Sequence, residues 1–335
     1  SPLIVPQVIT GLSFLILFVR VGSPWQFLNL LLVHVLLTLP YALRVVRSSL
    51  LRLDPKQWER AKPYPPLATL QWLPLAGALH EPFAAGAVNQ RLLPAGLVYG
   101  AGVGRFGKPH FFLARLERAA SEDDLTVLVC GCEYARDLTA IPAALQGGTV
   151  IVRREALRQW LWEKVEAWGV KRQPGPMARA LAAYGYQGDP AGALTRMTER
   201  ETETVILHER GEHAAGRLLG PAWEEMVAGF ATRRAELVAR AVRDNLADCL
   251  ATLPALLAQA DDASLHFWFA NFDGLRREHF PRLAAAYAKV SDGDAPLRAA
   301  VAMGAEHWLS AARRLMSLDE HAVAGLASDP VPIAL

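Results

Sequence analysis

Two uncharged apolar runs open the chain and set the first expectation about its environment. They cover residues 3–19 and 27–43, and a short Gly-Ser-Pro connection lies between them. Each run is about 17 residues long, which is the short end of what crosses a hydrocarbon core. One such run could equally be a buried helix, but two in tandem favour a membrane. The pattern therefore predicts a transmembrane helical hairpin.

Basic residues dominate the segment that follows the second run. Between residues 44 and 62 only Asp54 and Glu59 are acidic, against six Lys and Arg residues. An excess of Lys and Arg beside a membrane helix is typical of the cytoplasmic side. The sequence thus predicts a protein of the inner (cytoplasmic) membrane, with the lipid bilayer as a partner and the bulk of the chain on the cytoplasmic side.

The remaining pattern changes twice. The Pro-rich segment 62–66 ends the first unit, and residues 63–152 form a Pro/Gly-rich, loop-rich segment with short helices and strands. From residue 153 to 327 apolar residues recur at helical spacing, with helices predicted over 154–168, 177–184, 226–253 and 297–318. The predicted fold class is mainly α: an N-terminal transmembrane hairpin (1–62), the loop-rich segment, and a soluble helical bundle.

Composition excludes several classes. The formal net charge of the 335 residues is only +2, which predicts no strong nucleic-acid partner. Three cysteines cannot build a disulfide framework, so Cys130 and Cys132 are interpreted as structural thiols. Because the chain begins with Ser1 inside a helix pattern, we expect it to be the C-terminal part of a longer protein.

Residues 102–108 match the start of a phosphate-binding loop, but the next residue is wrong for that role. Such a loop needs Ser or Thr to hold magnesium, and a helix whose N–H groups face the phosphate. Pro109 follows instead, and neither a helical pattern nor a βαβ rhythm surrounds it. No cofactor-binding residue is therefore predicted in this segment.

Residues 2–61 resemble the membrane (permease) subunit of binding-protein-dependent ABC importers. The resemblance is carried by a Pro-containing apolar helix ending at Gly22, by LVHVLLTLPYALR over 32–44, and by SLLRLDPKQWERA over 49–61. It implies a loop that docks on an ATPase subunit, with Asp54 at the family's Asp position and Glu59 and Ala61 in its EAA motif. The family's glycine after that motif is absent, since Pro65 stands there. The resemblance therefore ends within its functional loop.

The most polar helix of the second half lies between Thr198 and a Gly-Pro stop at residues 220–221. Thr198 and Glu201 have the spacing of a capping box. On a helical wheel Leu207, Ala214 and Leu218 define an apolar face, and Glu203 falls close to its centre. A carboxylate there is costly unless it is paired or coordinates a metal.

Histidines and carboxylates on this helix stand one turn apart, the spacing with which helical bundles hold metals. We predict a site for iron, manganese or zinc, with ligands completed by an acidic residue of a later helix. The predicted ligand set is His208, Glu212, Glu203, Glu209 and Asp248.

Two alternatives compete with that metal site. The first is a solvated face of Glu, His and Arg, in which each pair contributes only a few tenths of a kcal/mol. The second is a zinc protease, but Glu212 replaces the second histidine of its His-Glu-x-x-His motif, which makes this class the weakest.

Two functions remain open at this stage. One is a transport component, in which a permease-like segment is fused to a cytoplasmic helical domain. The other is a helical metal-binding protein, or a metal-dependent enzyme, for which the hairpin is incidental. The abrupt end of the permease pattern near Ala61 also leaves open that two unrelated segments are joined there. No catalytic residue and no substrate can be named from the sequence.

Overall fold

A computed structural model describes residues 72–75, 77–103, 109–122, 124–136 and 141–335. Its first part is built from strands. A short hairpin pairs β1 (Leu73–Leu75) with β2 (Ala78–His80), and α1 (Ala85–Leu92) follows. The larger sheet contains β3 (Leu97–Val103), β4 (Pro109–Glu122), β5 (Leu125–Arg136), β6 (Ala143–Gln146) and β7 (Thr149–Arg153).

The five strands of this sheet lie in the order β3-β4-β5-β7-β6. Neighbours pair antiparallel except β5 and β7, which run parallel. On one face, alternate residues of β5 and β7 such as Val127 and Val150 are buried together with Ile206 of a later helix. Register shifts between Leu113 and Arg118 interrupt the alternation along β4. A period-two pattern is therefore hard to recognise in that strand.

Helices make up the second part. The first four are α2 (Arg154–Lys171), α3 (Pro176–Ala183), α4 (Pro190–Leu219) and α5 (Pro221–Gly229). Next come α6 (Arg233–Ala247), a π-helical turn (Asp248–Thr252), α7 (Leu253–Leu257) and α8 (Ala263–Ala270). The last are α9 (Gly274–His279), α10 (Pro281–Ala288), α11 (Ala295–Leu315) and α12 (Glu320–Gly325).

The 30-residue helix α4 connects the parts of the structure. Its first half packs with α2, α3 and α8 around Leu157, Leu161 and Met197, and its Ile206 packs on the sheet. Its last turns join the main helical core, where Trp308 and Phe280 are fully buried. Burial of large side chains such as these provides most of the stabilisation of such a core.

The capping box predicts a helix that starts at Thr198, but in the structure this helix is capped nine residues earlier. Asp189 caps α4 by accepting a hydrogen bond from the backbone N–H of Gly192 (2.9 Å), and Pro190 occupies the first turn. Thr198 lies inside the helix, where its hydroxyl donates to the carbonyl of Leu194 (2.7 Å). The local capping signal was therefore misread, because a hydroxyl in a helix can bond the preceding turn instead.

The helix predicted over 226–253 is interrupted and then extended. Its first part ends at Gly229, and α6 runs on through the π turn into α7 despite Pro254. Proline lacks the N–H that an α-helix needs at this point, and a wider turn is one way to accommodate it. The π turn begins at Asp248, and π turns inside helices are frequent at functional sites.

The predicted fold class, a mainly α membrane protein, is wrong. The described residues contain a five-stranded sheet where a loop-rich segment was expected. None of the helices among these residues has the length and apolar character needed to cross a membrane. This finding overturns the membrane-protein class and the inner-membrane location.

Several predictions concern residues that the structure does not describe. The hairpin (1–62) and the ATPase-docking residues Asp54, Glu59 and Ala61 lie outside the described residues, as does most of the 102–108 motif. The resemblance to an ABC permease and the ATPase partner therefore stay predictions. All three cysteines of the sequence are described and are free thiols.

Candidate metal centre

A close crossing of two helices brings charged side chains together in the C-terminal part. A Cβ atom added to Gly211 of α4 would lie 2.3 Å from the carbonyl oxygen of Ala247, at the end of α6. Only glycine permits the two backbones to approach this closely. Side chains one turn on either side of this contact are consequently brought face to face.

Three potential metal ligands meet beside this crossing. His208 and Glu212 project from α4 and Asp244 from α6, and one ligand atom of each lies within 4.8 Å of the other two. The Nε2 atom of His208 is 3.5 Å from Oε1 of Glu212. Each side chain is only partly buried; His208 keeps 27% of its surface exposed. The cluster is thus accessible to a small ligand.

Asp248, the first residue of the π turn, holds the other side of the imidazole. Its Oδ1 lies 2.9 Å from His208 Nδ1 and accepts a hydrogen bond from Trp268 Nε1 at 3.3 Å, and Arg276 donates to Oδ2. The Asp248 side chain is 1% exposed. When His208 is neutral and its Nδ1–H is bonded to this carboxylate, its Nε2 lone pair points towards Glu212. Such a carboxylate–histidine pair orients ligands in many metal sites.

The charges of the cluster do not balance within the protein. Arg243 donates hydrogen bonds to Glu212 (2.6 Å) and to Asp244 (3.3 Å), and Arg276 donates one to Asp248. Two guanidinium groups thus face four carboxyl groups, the fourth being the buried Glu209 on α4. With neutral His208 and ionised carboxylates the cluster carries two negative charges. Either bound protons or a divalent cation must compensate, because unpaired buried charge is costly.

In the metal-free protein, protons take that role. Burial raises the pKa of Glu209 to about 7, reinforced by the charge of Glu212. Burial likewise raises the pKa of Asp244. Burial opposes protonation of His208, yet the charge and hydrogen bonds of Asp248 and Glu212 outweigh it, so the pKa of His208 is well above its usual value. A metal that binds here must displace these protons.

Asp248 and Glu212 behave in the opposite way. Burial favours the neutral form of Asp248, but the charges of Arg276 and His208 overcome it and hold its pKa below the usual range. For Glu212 the hydrogen bond from His208 and the charge of Arg243 likewise outweigh burial and lower the pKa. Both side chains are therefore held as carboxylates, the form that binds metals.

The structure brings together only part of the predicted ligand set. His208 and Glu212 belong to the cluster, Asp248 contacts the histidine from behind, and Glu209 is buried next to it. Glu203 is not part of the cluster. Its half-exposed carboxylate binds Arg118 of β4 at 2.7 Å instead. The apolar face on which its placement depended was misassigned, since Leu218 is 47% exposed while Glu201 and Glu209 are buried.

The interpretation of this helix as a solvated polar face does not fit the structure either. Its buried residues include Glu201 and Glu209, and its polar side chains bond to other elements, as His213 does to Asp124 at 3.1 Å. The predicted ligand set did not include Asp244, which stands one turn before Asp248 and belongs to the cluster. No local signal could identify Arg276, because it comes from a distant short helix.

The described part of the protein thus consists of a mixed sheet followed in the chain by a helical part. At a helix crossing in the helical part lie a histidine, the carboxylate that orients it, and two further carboxylates. The chain belongs to a family of unknown function, DUF6866. The model of the family's N-terminal domain matches residues 56–153, and that of its C-terminal domain matches residues 158–329. The candidate centre lies in the C-terminal domain. No curated protein and no solved structure matches the chain.

Proposed function

We propose that the protein binds one divalent transition-metal ion through His208, Glu212 and Asp244. The observation that carries this proposal is the convergence of three ligand atoms within 4.8 Å, combined with an imidazole whose Nδ1 is held by the buried Asp248. Glu212 can keep Arg243 on one oxygen and present the other to the metal, since a carboxylate has several acceptor sites.

The ligand chemistry selects the class of metal. One imidazole with two carboxylates suits zinc, manganese or iron(II), whereas magnesium and calcium prefer oxygen-only sites and copper(I) prefers sulfur. Three protein ligands leave at least one coordination position for water or another small ligand, as in catalytic rather than structural zinc sites. A divalent ion would also neutralise the two negative charges that the cluster carries when His208 is neutral.

Metal titration of the full chain tests this proposal. After treatment with a chelator, the protein is titrated by calorimetry with Zn²⁺, Mn²⁺ and, without oxygen, Fe²⁺. We expect one ion per chain for at least one of these metals, and visible absorption bands when Co²⁺ replaces it. His208→Ala and Asp244→Asn should each weaken binding at least 100-fold. Asp248→Asn should weaken it about 10- to 100-fold, because it only orients the histidine.

A matched control separates the cluster from nonspecific binding. His213→Ala removes an imidazole from the same helix, but one that bonds Asp124 outside the cluster. This variant should bind metal as the unaltered protein does. If the chelator-treated protein binds none of the metals, or if binding survives His208→Ala, the metal proposal is wrong. The cluster would then be a structural network of ion pairs.

A further inference from the structure

A second region of different chemistry lies near the first turns of α4, where α2 meets the sheet. Two adjoining clefts of about 360 and 240 Å³ occur there, and Glu155 and Arg158 of α2 line both. We call the combined space the arginine cleft, because four arginines line it. They are Arg115, Arg136, Arg154 and Arg158. Its volume is in the range of small-molecule binding sites.

The cleft contains more guanidinium groups than its carboxylates can satisfy. Arg115 and Arg154 share a single carboxylate, that of Glu117, at 3.4 and 2.8 Å. Glu155 also lines the cleft, but its Oε2 accepts a hydrogen bond from the backbone N–H of Glu133 at 3.0 Å. That bond holds the carboxylate against β5. Four arginines and two glutamates leave the cleft with an excess of positive charge.

Arg136 shares the carboxylate of Glu133 with a second arginine. It lies 3.8 Å from Glu133, but Arg153 already binds both oxygens of that group, at 2.9 and 2.7 Å. Arg136 otherwise donates to the neutral side chain of Gln159. Among the partners that the described residues offer, Arg136 therefore has no carboxylate to itself, which leaves N–H donors for a ligand.

Arg158 is the most available of the four. Among the residues that the structure describes, its bonding partner is the neutral hydroxyl of Thr195 on α4, at 3.2 Å, and no carboxylate lies within ion-pair distance. The guanidinium fork matches phosphate and carboxylate geometry and keeps its charge at all physiological pH values. A half-buried arginine without a carboxylate is suited to bind an anion.

An exposed aromatic ring stands one helical turn from Arg158. Trp162 lines the larger cleft together with Leu194 of α4 and is 40% exposed. Residues four apart on a helix share one face, so a ligand can contact both side chains at once. The base of a nucleotide can stack on an aromatic side chain while its phosphate binds an arginine. This is a common way for proteins to bind nucleotides.

We propose that the arginine cleft binds a small nucleotide, with its phosphate on Arg158 and Arg136 and its base against Trp162. The site is separate from the candidate metal centre, and the proposal does not rest on that centre. It also differs from the glycine-rich segment at 102–108, since it uses side-chain donors of a helix instead of a phosphate-binding loop.

Calorimetric titration of the full chain with ADP tests the proposal. We expect one ADP to bind with a dissociation constant below 1 mM. The substitution Arg158→Gln should weaken ADP binding at least tenfold. Arg158→Lys should retain only part of the affinity, because a lysine lacks the planar fork. Trp162→Ala should weaken ADP binding at least fivefold while leaving the much weaker binding of inorganic phosphate unchanged. Circular dichroism confirms that each variant is folded.

A control on the same helix removes one positive charge outside the cleft. Lys171→Gln, in the last turn of α2, should leave ADP binding unchanged. The proposal is overturned if ADP does not bind at millimolar concentration, or if Arg158→Gln has no effect on its binding. Equal affinity for inorganic phosphate and ADP, with no effect of Trp162→Ala, would refute the nucleotide assignment. Binding of an RNA oligonucleotide without binding of ADP would do so as well.

Discussion

A buried carboxyl group on α4 should make the stability of this protein depend on pH. Glu201 is 2% exposed, and the hydroxyl of Tyr184 donates to its Oε1 at 2.6 Å. The neighbouring Arg200 contributes little to stabilising the Glu201 carboxylate, because its guanidinium binds Asp261. Burial therefore dominates and raises the pKa of Glu201 from 4.5 to about 7, although hydrogen bonds from Tyr184 and Ser264 oppose that rise.

The direction and size of the effect follow from proton linkage. Between pH 4.5 and 7 the folded protein keeps a proton on Glu201 that the unfolded chain has lost. The contribution of this group to stability is therefore fully present below about pH 4.5 and is lost as the pH rises through 7. The difference between the two pKa values corresponds to about 3 kcal/mol of unfolding free energy.

The substitution Glu201→Gln tests this reasoning directly. Glutamine has the same shape, still accepts the hydrogen bond from Tyr184, and cannot ionise. At pH 5 the variant and the unaltered protein should have similar unfolding free energies. At pH 8.5 the variant should be more stable by about 3 kcal/mol, because it avoids the buried charge. Urea denaturation at both pH values, with a chelator present and two spectroscopic probes whose transitions coincide, measures the difference.

An exposed carboxylate on the same helix provides the control. Glu199→Gln should change the unfolding free energy by less than about 0.5 kcal/mol, and equally at both pH values. The comparison between Glu201→Gln and the unaltered protein also removes the contribution of other titrating groups such as Glu209. If the stability difference caused by Glu201→Gln is the same at pH 5 and pH 8.5, Glu201 does not carry the linkage and the reasoning is refuted.

Further substitutions test one close helix contact and one buried ion pair. Gly211→Ala should destabilise the protein by about 2 kcal/mol or more, because the new Cβ would lie 2.3 Å from the carbonyl oxygen of Ala247. A Cβ at Gly216 on the same helix would have no atom within 4 Å, so Gly216→Ala should stabilise the protein by up to about 1 kcal/mol. Urea denaturation of both variants measures this contrast, and equal effects would contradict it. Glu133→Ala should cost about 3–5 kcal/mol by leaving buried Arg153 without its carboxylate. Adding Arg153→Met should recover much of that loss in the same assay, and no recovery would show that the pair is not coupled.

Most of the helical part was predictable from local pattern. The helices expected over 154–168, 177–184 and 297–318 correspond to α2, α3 and α11 within about three residues. Each has apolar residues at helical spacing, a signal contained within one stretch of chain. In the candidate metal centre, His208 and Glu212 were predictable for the same reason, since both lie on one helix and one turn apart.

The sheet was not predictable by the same means. The strand β3 is rich in small residues, and the bulges of β4 disturb its alternation. Strand pairing joins residues far apart in the sequence, such as β5 with β7 across β6. The membrane class rested on the apolar runs at the start of the chain, whereas the described residues form a sheet and helices too short or too polar to cross a membrane.

The amino-acid sequence by itself determined which stretches are helical in the second half of the chain and which helix carries histidines and carboxylates one turn apart. Tertiary structure decided which of those side chains meet. The contact of Gly211 with Ala247 turns α4 so that His208 and Glu212 face Asp244, while Glu203 faces Arg118 of the sheet. The physical reason is range. Helical periodicity is a property of neighbours in the chain, but a metal site or a buried ion pair depends on which surfaces pack together.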